Sequence, residues 1–191
     1  MANFSFKNFD PAEDLSGATP CKTSAQRAMV AAILEQYPEL SPDTLELVLP
    51  KKQQCTLVKS RDGVVFVVSA VLKAPVFFQY REGPYLPTLR FLHMAGDFMR
   101  KLGVDRGGVK FVLKGAPVFC AGITSAGGSV PAELGADVPV QIMAEGKELP
   151  LAVGFTKVST EEMRRANAGV GVETVHWLGD DLWRAHQAAW A

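Results

Sequence analysis

Three observations predict an α+β fold in two parts, an amino-terminal α+β domain followed by a small β-barrel. Two helical stretches precede a run of short β-rich segments in the first ninety residues. A second set of short apolar segments, separated by Gly- and Pro-containing breaks, fills residues 109–157. One capped helix near residue 160 then leads into a last strand pattern. A length of 191 residues permits one large domain or two small ones, and 48% hydrophobic with 21% charged residues is ordinary globular composition.

Phe4, Phe6 and Phe9 open the chain, and Asp10-Pro11 and Ser16-Gly17 follow. This reads as a short strand or arm and then a loop. Thr23 and Ser24 are N-cap residue types ahead of Ala25–Tyr37, where Met29, Ile33 and Tyr37 recur at helical spacing. Pro38 ends that helix. Ser41 and Pro42 start a second one, with Leu45, Val48 and Leu49 on its buried side. Cys55–Lys59, Val64–Val71 and Val76–Tyr80 read as a three-stranded meander. Its turns are Arg61-Asp62-Gly63, where Asp-Gly favours a tight hairpin, and Lys73-Ala74-Pro75. Arg81–Tyr85 reads as a connector, and Thr88 caps a helix running through Leu89, Leu92 and Phe98.

The second half begins with Val109–Lys114, which alternates apolar and polar residues. As a strand it points Val109, Phe111 and Leu113 at a core and sets Lys110 and Lys114 together on the other side. Gly115-Ala116-Pro117 breaks the strand, and Val118–Ile123 resumes it. Thr124–Asp137 is a Ser-, Gly- and Pro-rich loop. Val138–Ala144 and Leu149–Phe155 flank Glu145-Gly146-Lys147 as a hairpin. Ser159 with Glu162 three residues on has capping-box spacing, which predicts a helix over Met163–Ala168 with Gly169 as its left-handed stop. Val170–Leu178 is a last strand, Gly179–Trp183 turns back, and the tail from Arg184 is expected to be loose.

Twenty basic residues balance twenty acidic ones, so attraction to nucleic acid has to be local. Arg100, Lys101, Arg106, Lys110 and Lys114 face a single acid, Asp105, and form the densest basic patch in the chain. Gly115 and Gly122 carry no Cβ and allow a sugar-phosphate backbone to come near. Cys21, Cys55 and Cys120 are far apart and make no C-x-x-C pair, which indicates neither a disulfide framework nor a zinc ribbon and fits a reducing, intracellular compartment. The amino end lacks the apolar core of a secretory signal, and the apolar run near Val64–Leu72 falls short of the roughly 20 residues a membrane span needs.

No catalytic constellation emerges. His93, His176 and His186 are isolated, and no G-x-S-x-G or phosphate-binding G-x-x-x-x-G-K-[ST] is present. Cys120 sits in an apolar run without a partnered histidine, which reads as a buried thiol.

Lys114-Gly115-Ala116 and, after three residues, Cys120-Ala121-Gly122-Ile123 resemble the glycine motif of the PUA domain, an RNA-binding β-barrel. Arg81–Arg90, Ile142–Lys147 and Gly169–Glu173 are similar to the malignant T-cell-amplified sequence family, also called translation machinery-associated proteins. The similarity runs from Phe6 to Trp183. It implies an amino-terminal domain over residues 1–92, a PUA domain over 93–184 and a tail over 185–191. It implies a cytoplasmic translation factor without enzymatic activity, cofactor or metal. Such a factor acts on the small ribosomal subunit and its ribosomal RNA in reinitiation, non-canonical initiation and recycling, where deacylated tRNA is released. The partner so implied is a homologue of density-regulated protein, and the PUA domain is turned toward the tRNA acceptor end.

The RNA-contacting residues that the motif and the patch suggest are Arg106, Lys110, Lys114, Gly115, Ala116, Cys120, Ala121, Gly122 and Ile123. One departure is Ala121, where the family carries Pro. Two other classes stay open. One is an RNA-modification enzyme, or its accessory subunit, that holds tRNA through the PUA domain. The other is a protein-interaction module whose barrel binds no RNA.

Overall fold

A five-stranded sheet and one apolar stripe on each of two helices meet in the first half of the chain. The computed structural model describes residues 4–130, 132–185 and 187–190. They divide into two units. One holds residues 9–98 with the end of the chain from Ala185, and the other holds residues 99–184 with the start of the chain up to Asn8.

The first unit runs α1 (Pro11–Asp14), β1 (Leu15–Pro20), α2 (Thr23–Gln36), α3 (Pro42–Val48), β2 (Thr56–Ser60), β3 (Val64–Ser69), β4 (Ala74–Tyr80), β5 (Tyr85–Pro87) and α4 (Leu89–Ala95). The sheet order is β1-β2-β3-β4-β5, antiparallel throughout. The expected meander is its centre. The segment around Ser16-Gly17 is a strand, not a loop. Its exposed side chains carry no alternation, and pairing with β2 alone makes it a strand. α2 buries Met29 and Ile33 as expected, but Lys22 rather than Thr23 or Ser24 stands at its cap position. Thr88 caps α4 by accepting from the Phe91 N–H at 3.3 Å. That helix stops at Ala95 because Gly96 follows at φ 80°, so Phe98 lies beyond it, its ring 5.3 Å from Tyr37 and 6.0 Å from Phe91.

The described part of the tail carries structure of its own. A 3-10 turn over Gln187–Trp190 sets the Trp190 indole 4.9 Å from Phe66 and 6.2 Å from Phe9. Burying an indole offsets the entropy of ordering so short a segment, which composition alone does not reveal.

The second unit runs β6 (Lys101–Val104), α5 (Arg106–Val112), β7 (Val118–Phe119), α6 (Cys120–Thr124), β8 (Pro139–Ala144), β9 (Pro150–Thr156), α7 (Thr160–Ala166), β10 (Val170–Trp177) and α8 (Asp181–Arg184). The sheet order is β6-β8-β9-β10-β7, with β6 parallel to β8 and the other pairs antiparallel. The hairpin around Glu145-Gly146-Lys147 is β8–β9. Ser159 caps α7 by accepting from Glu162 N, but Asn167, at φ 47°, is the left-handed residue that ends it.

The strand expected over Val109–Lys114 is a helix. Asp105 caps it, with Oδ1 accepting from Gly108 N at 2.7 Å, and Val112 is its buried residue while Phe111 and Leu113 are exposed. Six alternating residues fit both periods, and the capping aspartate three residues before Gly108 decides for the helix. The resumed strand over Val118–Ile123 is only two residues long before α6 takes over. β6 hid inside the basic patch, because its Leu-Gly-Val core is three residues long and its pairing comes from distant segments, β8 and Ser129.

Two close approaches set the stability of these units. Gly115 ends the α5 turn at φ +76°, and a Cβ there would run into the six-membered ring of Trp177, itself 4% exposed. Gly122 has ordinary space, its added Cβ meeting Val104 Cγ2 at 3.5 Å. Gly115→Ala is therefore expected to cost about 2–4 kcal/mol, and Gly122→Ala to stay within about 1 kcal/mol of wild type, both read from urea midpoints by tryptophan fluorescence.

Cys21 and Cys55 face each other where β1 ends and β2 begins, with Cys21 N donating to Cys55 O at 2.8 Å. Burial, and then the Cys21 thiol beside it, push the Cys55 thiol up from 9.0 to about 12. The folded state keeps a proton that the unfolded chain gives up near 9.0. Its stabilisation is thus complete below that value and is lost as pH rises toward 12. The denaturation midpoint of wild type should fall more steeply from about pH 8 to about pH 10.5 than that of Cys55→Ala.

Candidate nucleic-acid interface

α5 lies against β6 because Gly108 has no side chain: a Cβ there would run into Val104 Cγ2. Gly107 comes within the same turn, where an added Cβ would stand 3.3 Å from Asp105 Oδ1. Asp105 holds the turn from both oxygens, Oδ1 accepting from Gly108 N at 2.7 Å and Oδ2 from the Ser125 hydroxyl at 2.9 Å. β7 and the start of α6 run beside α5, and a groove of about 550 Å³ opens between them.

The groove is mostly apolar. Val104, Val112, Pro117 and Val118 line it, together with the rings of Phe111 and Phe119. These two rings are 53% and 58% exposed, an unusual state for phenylalanine outside a contact surface. The Lys110 ammonium lies 5.0 Å from the Phe111 ring centre, a cation over a π face. Lys110, Ala116 and Gly122 line it too, with Asp105, Gly107 and Gly108 at the start of α5. An exposed aromatic face next to a cation is the surface on which an unstacked base and its phosphate sit together.

The residues singled out from sequence fall into three groups. Lys110, Ala116 and Gly122 line the groove. Lys114 and Ala121 are exposed beside it, Lys114 in the turn after α5 and Ala121 on α6. Arg106 is exposed too, but its Nε stands 3.4 Å from Glu145 Oε1 and its backbone N donates to Glu145 Oε2 at 3.2 Å. Gly115, Cys120 and Ile123 are not groove lining. The missing Cβ of Gly115 makes room for Trp177, and the Cys120 and Ile123 side chains are buried at 0% and 1% in the core. Burial raises the Cys120 thiol. A buried side chain offers nucleotides no surface, so these two positions support the interface only from beneath. α6 forms with Ala121 in its first turn, the place where Pro is tolerated, so the usual ring is not needed for this conformation.

Sequence reasoning missed Phe111, Phe119, Gly107 and Gly108. The signal was Asp105 with Gly108 three residues on, then Val109 and Val112 at helical spacing. That pattern turns Phe111 away from the core.

Outside the groove, His176 and Asp180 form a buried pair, Nδ1 and Oδ2 lying 2.7 Å apart. Asp180 also accepts from Trp177 N and Trp183 N, so it ties the end of β10 to α8. Among the described residues no group of three or more His, Cys, Asp or Glu could hold a metal ion, and no helix is long and apolar enough to cross a membrane.

Two family models match, a Pre-PUA-like domain over residues 9–95 and a PUA domain over residues 100–178. Among solved structures, a hypothetical protein from the hyperthermophilic archaeon Pyrococcus horikoshii superimposes with a TM-score of 0.69 at 21% identity, covering 88% of this chain and 98% of that one. A conserved PUA domain protein from Thermoplasma acidophilum gives 0.64 at 16% identity, with 88% and 98% covered. At these identities the likeness shows the fold alone. Translation machinery-associated protein 20 of Schizosaccharomyces pombe is 40% identical over 180 residues, 94% of this chain and 97% of its own. The malignant T-cell-amplified sequence 1 homolog of Drosophila melanogaster is 41% identical over 181 residues, again 94% and 97%. Malignant T-cell-amplified sequence 2 of Homo sapiens is 38% identical over 180 residues, 93% and 96%. With a pre-PUA unit, a PUA unit and relatives matched nearly end to end, the chain belongs to the malignant T-cell-amplified sequence family, the translation machinery-associated protein 20 family of fungi.

Proposed function

We propose that this chain is an RNA-binding factor of the translation machinery that acts without catalysing a reaction. The observation that carries the reading is the groove beside α5, where two exposed phenylalanine rings and Lys110 share one surface. With as many acidic as basic residues, the chain has no general pull on RNA, so binding has to be made there. A base stacked on Phe111 or Phe119 contributes about 1–3 kcal/mol, and Lys110 and Lys114 take neighbouring phosphates. A groove of about 550 Å³ has room for an unstacked nucleotide, not for a duplex.

Family membership supports the finer reading. The factor works in the cytoplasm on the small ribosomal subunit and its ribosomal RNA, in reinitiation, non-canonical initiation and recycling. It receives the single-stranded acceptor end of tRNA in the groove and promotes release of deacylated tRNA together with a homologue of density-regulated protein. No cofactor enters this role.

Reversing both cations, Lys110→Glu with Lys114→Glu, is expected to weaken RNA binding alike across sequences. It should flatten the plot of log affinity against log salt by about one unit for each phosphate that is no longer neutralised. Fluorescence anisotropy over a salt series measures both, and an unchanged slope would take these lysines out of the interface. Phe111→Ala and Phe119→Ala should each lower affinity for single-stranded RNA by about 5- to 100-fold while leaving the salt slope as it is, because stacking releases no counterions.

A further inference from the structure

We infer that Glu145 is an anionic gate on the groove: it holds Arg106, the cation at one end of α5, away from RNA phosphate until a phosphate displaces it. This rests on the RNA-binding reading above and goes beyond it, since it makes one carboxylate decide how many phosphates the chain engages.

Arg106 has the exposure of a phosphate contact, its side chain being 84% accessible. Two of its N–H groups, Nε and the backbone N, already face one acid. The guanidinium Nε lies 3.4 Å from Glu145 Oε1, and the backbone N–H donates to Glu145 Oε2 at 3.2 Å. Both oxygens of one carboxylate thus meet one residue. That residue lies between Asp105 and Gly107, which line the groove.

The carboxylate has a place made for it. Glu145 N donates to Val104 O at 3.0 Å, which ties the end of β8 to the end of β6. Any side chain on Gly127 would run into the carboxylate, so the turn that carries Gly127 leaves it clear. Glu145 is 34% exposed, less than half the exposure of the arginine it faces. Asp105 occupies Gly108 N at the same end of α5. Two carboxylates therefore stand at the Asp105 end of the helix, and Lys110 and Lys114 stand toward the other. A nucleotide strand gains cations at the lysine end and meets like charge at the arginine end. The exposed ion pair is weak enough for a phosphate to exchange with Glu145, and strong enough to lower affinity until it does.

The experiment is fluorescence anisotropy of a mixed-sequence single-stranded oligoribonucleotide with the full chain, over a salt series. The variants are Glu145→Gln, Arg106→Gln and the two together, with Glu145→Ala as a second gate variant should the glutamine form unfold. Removing the charge is expected to tighten binding about 3- to 10-fold and to steepen the log-log slope by about one unit as Arg106 gains a phosphate. Arg106→Gln should flatten the slope less in the wild-type chain than in Glu145→Gln, where adding it should cancel the gain. Unchanged affinity and slope in Glu145→Gln, while the double lysine reversal weakens binding, would overturn the gate and leave the groove standing. No RNA binding by wild type or by any gate variant would overturn both.

Discussion

The candidate interface depends on the capping of α5 by Asp105. Its two carboxylate oxygens accept from Gly108 N and from the Ser125 hydroxyl, so one side chain starts the helix and ties it to the turn after α6. Without that cap, residues 109–114 have the alternation of a strand, and Phe111 would belong to a core. With it, Val112 goes inward, Phe111 and Lys110 come out beside one another, and a groove is left between α5 and β7. Gly108 is the second condition. A helix start carrying any side chain there would be pushed off Val104, and the groove would lose the side that β6 supplies.

Local charge then does what total charge does not. The chain is formally neutral, and the densest run of basic residues holds one acid of its own and meets a second, Glu145, from across the sheet. Arg106 is held by Glu145 and sits next to Asp105, whereas Lys110 lies over an aromatic ring. Cations of equal formal charge are therefore unequal in their surroundings, and only their neighbours tell them apart. Glycines divide in the same way. Gly115 serves a left-handed turn against Trp177, Gly122 lines the groove, and Gly127 leaves space for the Glu145 carboxylate. A glycine motif read as one feature is here three separate steric solutions.

The ends of the chain show a related economy. Phe6 packs edge-on to His176, 5.8 Å away, in the unit that holds most of the second half, while Trp190 packs on Phe66 in the unit that holds most of the first. Each unit gains a large aromatic group that a short terminal segment supplies. The buried His176–Asp180 pair beneath Phe6 has its remaining carboxylate capacity taken by two backbone N–H groups, so the polar pair carries no unmet demand.

Sequence alone determined the class, the two-part order and the elements whose signals are local. Thr88 and Ser159 cap the helices that follow them, Asp62-Gly63 turns a hairpin, and Glu145-Gly146-Lys147 joins β8 to β9, because each signal acts within four residues. It also placed Lys110, Lys114 and Gly122 near one another in the chain, and kinship supplied the family. Tertiary structure decided the rest. β1 is a strand because β2 offers it hydrogen bonds, and β6 because β8 and Ser129 do. The alternating stretch after Arg106 satisfied two periods at once, and a cap together with close packing on Val104 chose the helix. Which cysteine, isoleucine or phenylalanine lines the groove follows from that choice. Burial is set by what lies across the fold, and no window of sequence contains it.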